Sequence, residues 1–301
     1  MSRVATIPIQ RTMSDAIQRV QQQLASSQLQ LTTQKKVNDY ASLGTATVRV
    51  MSARTLVDRS EAHATVAKSV GTTLALYDAS MTGIHDSISD MRQNILTAVG
   101  TGQSAGLQDS INGAFEFFRS ALSGSQGGVP LFAGSRTDEP PFKPESLTDT
   151  LNYSAADAFG NDDIRVSARV SDDLDMEYGI VASEVGAGLF TAFRKLAEAG
   201  DIGPNPTPAQ LAAMEEALGL LDTGLADLRA VNAGNGRKQA QIETIEERVG
   251  KRTLLLKDII AQNEDADLGQ VAIDLARHQT TLQASYSVFA QLSKMTLANF
   301  L

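Results

Sequence analysis

The sequence predicts a mainly α-helical fold in which long, antiparallel, coiled-coil-like arms from both termini flank a small β-containing insert. Three observations predict it: the positions of the eight prolines, apolar seams at helical spacing, and two runs of alternating apolar and polar residues. No proline lies between Pro8 and Pro130, and none follows Pro208. Because proline costs about 3 kcal/mol inside a helix, both proline-free stretches can hold long helices.

The first arm carries an apolar seam that steps by four and three positions, as in a coiled coil. The seam weakens around Gly44, and Gly100 and Gly102 are expected to end it. A shorter helix should follow over Leu107–Leu122. The seam residues are Met13, Ile17, Val20, Leu24, Ser27 and Leu31, then Val70, Leu74, Tyr77, Met81, Ile84, Ile88, Met91, Ile95 and Ala98.

The last arm begins with a helix-start signal, because Thr207, Pro208 and Gln210 form a capping box with proline at the first helical position. We expect the segment Gly234-Asn235-Gly236 to interrupt the helix and a slip to fall at 263–267. The seam residues are Met214, Leu218, Leu221, Leu225 and Leu228, then Ile242, Ile245, Val249, Arg252, Leu256 and Ile259, and finally Leu268, Val271, Leu275, His278, Leu282, Ser285, Phe289, Leu292 and Thr296.

The middle of the chain reads as a β-hairpin, because residues 164–170 and 174–180 alternate around a short polar connection. A helix over Val185–Leu196 should follow it. We therefore predict three parts: a terminal helical polymerisation domain (1–40 with 264–301), a helical rod (41–130 with 190–263) and a β-containing, outward-facing insert (131–189).

Charge and composition exclude several classes of function. The 301 residues have a net charge of −9, which argues against nucleic acid as a partner, and contain no cysteine for disulfides, thiolate metal sites or thiol nucleophiles. No window approaches 18 consecutive apolar residues, so no membrane span is expected. The apolar stretch after Arg3 is too short for a cleaved signal peptide.

No constellation of residues supports catalysis, a metal or a cofactor. Residues 102–106 spell G-x-S-x-G around Ser104, but a nucleophile elbow needs a preceding strand, whereas a long helix is predicted there. The three histidines lie in helical patterns, and His278 occupies a seam position where packing is expected. The aspartates around the hairpin lack EF-hand spacing, so solvated turn carboxylates are expected.

Both ends of the chain are depleted of charge. Residues 20–34 carry none, and residues 278–293 contain no Lys, Arg, Asp or Glu. Since a solvated helix normally carries charges on its outer face, we infer that other subunits complete both ends. Two-helix packing within the monomer and chance clustering of charge remain alternatives. The predicted subunit interface comprises Ile17, Val20, Leu24, Leu31, Val271, Leu275, Leu282, Phe289, Leu292, Met295, Leu297 and Leu301.

Several segments resemble the flagellin superfamily of bacterial flagella, and within it the hook-associated protein 3 (hook–filament junction) family. The most specific is Pro130–Phe142, PLFAGSRTDEPPF, which is similar to the family's LFAG-T-T-PPF segment. Residues 265–268 (DADL) and 282–286 (LQASY) resemble a C-terminal region shared with flagellin, and 292–297 (LSKMTL) resembles the junction-protein ending. Residues 35–40 (KKVNDY) depart from the flagellin pattern, which has LSSG-RI and SDDP there.

The resemblance implies a structural protein that is not an enzyme and needs no cofactor. It implies a ring of subunits between another hook-associated protein on the hook side and flagellin on the filament side. It further implies a cytoplasmic export chaperone that holds the C-terminal segment, and type III export to the extracellular flagellum without a cleaved signal peptide. A flagellin-type filament subunit is the alternative, and an enzyme or a soluble coiled-coil signalling module is a third hypothesis.

Overall fold

The computed structural model describes residues 3–37 and 39–298, with side chains for residue 8 and for residues 11–37, 39–41 and 43–291. The described helices confirm the predicted mainly α class. They are α1 (Arg3–Thr33), α2 (Ala46–Thr101), α3 (Leu107–Leu122), α4 (Ala182–Glu198), α5 (Pro208–Glu264) and α6 (Leu268–Ala298). The strands are β1 (Ser125–Gln126), β2 (Val129–Pro130), β3 (Ser167–Ser171) and β4 (Leu174–Glu177), and short 3-10 helices span Ala41–Leu43 and Thr148–Asn152.

The chain divides into two compact units. The terminal unit consists of Met1–Arg59 with Arg252–Leu301, and the central unit is Ser60–Lys251. Both boundaries fall inside the long helices α2 and α5. The three-part division predicted from the sequence stays a prediction.

In the terminal unit, α1 and α6 pack along each other as an antiparallel pair. An antiparallel bridge between Lys35 and Asp265 joins one end of the pair. Further along, Gln21 Nε2 donates a hydrogen bond of 2.7 Å to Tyr286 Oη. The antiparallel arrangement predicted for the two ends of the chain is confirmed for these two helices.

The core of the central unit is built on the predicted seam of α2. All nine seam residues from Val70 to Ala98 are buried. The predicted apolar faces of α3 and α4 are buried with them: Leu107, Ile111, Phe115, Phe118 and Leu122 on α3, and Val185, Leu189, Phe193 and Leu196 on α4. A repeat of four and three positions thus places the same side of each helix in the core.

The predicted hairpin forms but is shorter than the alternating runs. Strands β3 and β4 are antiparallel, with Ala168 opposite Met176, and Val170 and Met176 are buried. Ile164 and Val166 lie before β3 and are exposed. The Ile164 N–H donates to Asp162 Oδ1 instead of to a strand, which delays the start of pairing.

The N-terminus of α5 has the capping box that the sequence predicts. The backbone N–H of Gln210 donates to Thr207 Oγ1, and that of Thr207 donates to Gln210 Oε1 at 3.0 Å. Each side chain therefore satisfies a backbone donor of the first turn.

Two details of the α5 prediction are wrong. The helix continues through Gly234-Asn235-Gly236, because buried Asn235 bonds to α2 there and offsets the low helix propensity of glycine. Beyond Val249 the more buried positions are Thr253, Leu256 and Ile260, whereas Arg252 and Ile259 are exposed. A straight helix with 3.6 residues per turn drifts away from a strict heptad repeat.

Candidate functional site: an assembly surface on the terminal helices

The inner side of the α1/α6 pair follows the predicted seams. Val271 is buried, and Ile17, Val20, Leu24, Leu275 and Leu282 are half-buried. Ser27 is also buried. Each helix of the pair covers one face of the other, and one neighbouring helix is not enough to bury most of these apolar residues fully.

The remaining predicted interface residues lie off this seam or outside the described side chains. Leu31 is 43% exposed and Phe289 is 37% exposed. At the end of α1, Gln30 lies at the half-buried position, and its amide donates to the Lys36 carbonyl at 2.8 Å. The predicted interface residues Leu292, Met295, Leu297 and Leu301 lie outside the described side chains.

The pair carries further exposed apolar side chains that do not belong to the predicted seams. Leu29 on α1 and Ile273, Tyr286 and Val288 on α6 are exposed. For Leu29, Tyr286 and Val288 the sequence signal was an apolar residue off the seam within a charge-depleted stretch, whereas Ile273, beside Asp274, carried no such signal. Among exposed large apolar side chains of the described residues, thirteen belong to the terminal unit and seven to the larger central unit.

This surface can exclude water at low electrostatic cost. Between its apolar residues stand Gln, Ser, Thr and Ala over residues 20–34 and 279–291. Burying a charge without a partner is expensive, and none would be stranded along these stretches. Their amides and hydroxyls can instead hydrogen-bond across an interface.

The two units differ strongly in net charge. The terminal unit contains twelve basic and eight acidic residues, a net charge of +4. The central unit contains fourteen basic and twenty-seven acidic residues, a net charge of −13. Like-charged surfaces repel and stay solvated, so self-association is less opposed at the terminal unit than at the central unit.

The segment that carries the family resemblance is a structural element of the central unit. Gly134 has a φ of +66°, and a Cβ at this position would fall on Asp162 Oδ1. The Ser135 N–H donates a hydrogen bond of 2.8 Å to that oxygen, and the Ser135 hydroxyl donates one to Oδ2. Hydrogen bonds from the hydroxyl and the N–H of Ser135 lower the pKa of the Asp162 carboxyl. Glycine is needed here because the backbone approaches Asp162 closely.

Two phenylalanines anchor the same segment in the core. Phe132 is fully buried, with its ring centroid 5.0 Å from that of Tyr77, and Tyr77 Oη donates 2.7 Å to the Leu131 carbonyl. Burial raises the pKa of the Tyr77 hydroxyl. Phe142 lies in an aromatic cluster with ring centroids 5.2–6.1 Å away, formed by Phe115, Phe118, Phe159 and Phe190. The resemblance therefore rests on packing residues of the insert.

Ser104 is a turn residue. It is buried. Its hydroxyl donates a hydrogen bond of 2.6 Å to the Gly203 carbonyl, and its N–H donates one of 3.0 Å to the Pro204 carbonyl. The segment before it is helix α2. The hydroxyl thus ties the α2–α3 turn to the segment that precedes α5.

His63, His85 and the hairpin residue Asp172 have local structural partners. His63 Nε2 lies 3.2 Å from Asp172 Oδ1, which places α2 next to the β3–β4 turn. His85 contacts the neighbouring Asp86, and His278 is half-buried on α6. Across the described residues, no group of three His, Asp or Glu side chains is arranged to hold a metal ion.

Comparison with known proteins gives a likeness carried by structure. No protein-family model matches the chain, and no curated protein matches its sequence. A Vibrio parahaemolyticus protein described as a flagellar hook-associated protein superposes with a TM-score of 0.61 at 14% identity, covering 73% of this chain and 97% of that one. FlgL of Bacillus cereus superposes with a TM-score of 0.57 at 12% identity, covering 70% and 98%. The chain has the fold of these two proteins, which confirms the fold that the resemblance implies.

Proposed function

We propose that this chain is a structural subunit of the bacterial flagellum that forms the junction ring between a hook-side hook-associated protein and the flagellin filament. One observation carries the proposal: the terminal helices α1 and α6 form a pair that exposes apolar side chains and carries no Lys, Arg, Asp or Glu over residues 20–34 and 278–293. The exposed apolar residues include Leu29, Leu31, Ile273, Val288 and Phe289. The fold shared with two flagellar proteins and the resemblance of Pro130–Phe142 support it.

The proposed interface uses both sides of the terminal pair. Ile17, Val20, Leu24, Val271, Leu275 and Leu282 hold α1 against α6, while Leu31 and Phe289 extend to neighbouring subunits, together with Leu292, Met295, Leu297 and Leu301. Burial stabilises by roughly 25 cal/mol per Å² of apolar surface. Ordering the backbone opposes it by about 1–2 kcal/mol per residue. For one subunit the two terms come close to balance with a small excess in favour of burial, so the pair forms in the monomer but opens often, and it becomes firmly ordered on assembly.

The partners follow from this assignment. The subunit contacts copies of itself in a ring, another hook-associated protein on one side and flagellin on the other. A cytoplasmic export chaperone holds the C-terminal segment before type III export to the extracellular flagellum, without a cleaved signal peptide. No helix of the described chain is long and apolar enough to cross a membrane. The role is structural and needs no enzyme site or cofactor.

The alternative is a flagellin-type filament subunit, favoured by residues 265–268 and 282–286, which resemble the region shared with flagellin. Self-assembly separates the two functions. The purified chain is expected to form at most short rings, whereas a filament subunit would polymerise alone into long filaments visible by electron microscopy.

Deletion of the gene in the source bacterium tests the proposed function. We expect cells that keep hooks, lose filaments and shed unpolymerised flagellin into the medium, with recovery on complementation by the wild-type gene. Full motility and attached filaments in the deletion strain would contradict the proposal and revive a soluble enzyme or a coiled-coil signalling module.

Two matched variants test whether the terminal pair is the subunit interface. Val288 on α6 and Val129 on β2 of the central unit are both exposed, at 42% and 53%. Val288→Glu adds a charge to the proposed interface and is expected to abolish complementation, whereas Val129→Glu should complement. Equal complementation by both variants would contradict this placement of the interface.

Amide exchange on the monomer tests the energy balance. Residues 20–34 and 278–298 are expected to exchange orders of magnitude faster than α3 and α4, because their helices lack the subunit contacts. Protection equal to that of the central core would contradict assembly-dependent ordering.

A further inference from the structure

The two links that join the terminal pair to the rest of the terminal unit meet at one point. The first link leaves α1 at Gln34, and the second joins α5 to α6 at 265–267. The Lys36 N–H donates a hydrogen bond of 2.7 Å to the Glu264 carbonyl, and the Ala266 N–H donates one of 2.9 Å to the Gln34 carbonyl. The two links are therefore hydrogen-bonded to each other. They hold the C-terminal end of α1 next to the N-terminal end of α6, and we call this point, residues 34–36 with 264–266, the corner.

Gln34 has a backbone conformation that reflects this fastening. Its φ is +58°, the one positive φ outside glycine among the described residues. A non-glycine residue in this region is strained, and such strain persists where the surroundings fix the backbone. At Gln34 the fixing contact is the hydrogen bond from Ala266.

Glu264 is the centre of the side-chain layer over this corner. It is 6% exposed. Arg54 Nη2 of α2 donates to both of its oxygens, at 2.9 and 2.7 Å, and Lys35 Nζ lies 3.4 Å from Oε2. Lys35 Nζ also donates 2.5 Å to Asp265 Oδ1. The buried carboxylate thus connects α5, α2 and the segment after α1.

The four charges balance one another, two cations against two carboxylates. The hydrogen bond to Asp265 raises the pKa of the Lys35 amine, and that to Glu264 raises the pKa of Arg54. Arg54, Lys35 and Asp265 have side chains 41–49% exposed, so water can replace their contacts. Of these four groups only Glu264 is buried, so its carboxylate oxygens depend on Arg54 and Lys35 for their polar contacts.

We propose that Glu264 is an ionic latch that fixes the direction in which the terminal pair leaves helices α2 and α5 within the terminal unit. With the latch closed, α1 and α6 keep one direction. With it open, the backbone at 34–37 and 265–267 bends while the helices stay intact. A cavity of about 250 Å³ beside the latch, lined in part by Tyr40, Leu43 and Arg54, leaves room for the side chains to move.

The role in assembly rests on the proposed function, since a fixed direction presents the interface of α1 and α6 to the next subunit at one angle. The latch itself is a property of the isolated chain. It can therefore be tested without any flagellar partner.

Spin-label distances test the latch, and the chain's lack of cysteine allows clean labelling. Spin labels are attached to cysteines that replace the exposed Leu255 on α5 and Thr280 on α6. The distance between the two labels reports the direction of the terminal pair relative to α5. The wild-type background is expected to give one narrow distance distribution. Glu264→Gln keeps the shape and removes the charge, and should widen the distribution about twofold or more, with unchanged helix content by circular dichroism.

Asp274→Asn is the matched control. It removes a carboxylate from α6 that bonds to Gln270 away from the corner, and it should leave the distribution narrow. A narrow distribution in Glu264→Gln, or a loss of helix content in that variant, would overturn the latch. Failure of flagellar complementation tests instead leaves the spin-label result standing, so the two proposals fail separately.

Discussion

The side-chain amide of Asn235 on α5 donates a hydrogen bond of 2.9 Å to the backbone carbonyl oxygen of Leu74 on α2. Gln239 Nε2 donates to the same carbonyl at 3.0 Å. Asn235 is 1% exposed, and its own Oδ1 is buried without a hydrogen-bond partner. One buried amide thus joins the two long helices of the central unit across 161 residues of sequence.

Asn235→Asp should destabilise the central unit strongly. A carboxylate cannot donate to Leu74 O and would face that carbonyl in a buried site, so we expect a loss of about 3 kcal/mol in the free energy of unfolding. Urea denaturation measures it. Asn112→Asp, at an exposed position of α3, should change stability by less than about 0.5 kcal/mol; similar losses in both variants would contradict the assigned role of the Asn235 amide.

Gly224→Ala should destabilise the contact between α4 and α5. A Cβ at Gly224 would lie 2.9 Å from Leu189 N and 3.0 Å from Gly188 C, so the helices must separate, at a cost of about 2–3 kcal/mol. Gly219→Ala on the same helix meets nothing within 4 Å and should stabilise by up to about 1 kcal/mol. Thermal and urea unfolding of the pair provide the measurement, and equal signs for both variants would refute the close approach.

Phe142→Ala tests the insert's anchor. Phe142 is buried among four other aromatic rings, and its removal should cost about 3–5 kcal/mol through lost contacts and a cavity. Phe117→Ala, at a ring that is 45% exposed, should cost about 1 kcal/mol or less. Equilibrium denaturation of the two variants gives the comparison; a small loss for Phe142→Ala would mean that the insert is not anchored by this cluster.

Stability should depend on pH through Asp162. Hydrogen bonds from Ser135 lower the pKa of this carboxyl in the folded state, below an unfolded value of about 3.9. The ionised form therefore stabilises the fold above that unfolded value, and the contribution is lost as the pH falls through the lower, folded-state pKa. The midpoint temperature of wild type should exceed that of Asp162→Asn at neutral pH, with the gap closing in acid.

The exposed neighbour Asp163 supplies the control for this titration. Asp163→Asn should follow the wild-type profile at every pH. A gap between wild type and Asp162→Asn that stays constant from neutral pH into acid would show that the carboxylate charge is not the stabilising feature.

The sequence predicted best the features set by local chemistry. The seam of α2 from Val70 to Ala98 and the capping box of Thr207 and Gln210 depend on residue spacing within one helix, and both are present in the structure. The interruption at Gly234–Gly236 failed as a prediction because a contact 161 residues away overrides local propensity.

The candidate site was predictable in part. Charge depletion over residues 20–34 and 278–293 predicted that the terminal helices form a subunit interface, which stays a prediction, whereas the seam correctly indicated the side on which α1 and α6 pack together. The exposed side of α6 and the corner around Glu264 could not be predicted, because they depend on pairing between residues more than 200 positions apart. A single sequence gives the periodicity of each helix but not which helix lies against it.

Cysteine accessibility tests most directly whether the terminal pair is the subunit interface. Ser287→Cys on α6 and Ser167→Cys on β3 place thiols at exposed positions of a chain without cysteine. In the purified monomer both should react rapidly with a maleimide. In assembled flagella we expect the thiol at position 287 to become protected while the thiol at position 167 stays reactive. Equal reactivity of both positions in flagella would contradict a subunit interface on the terminal pair.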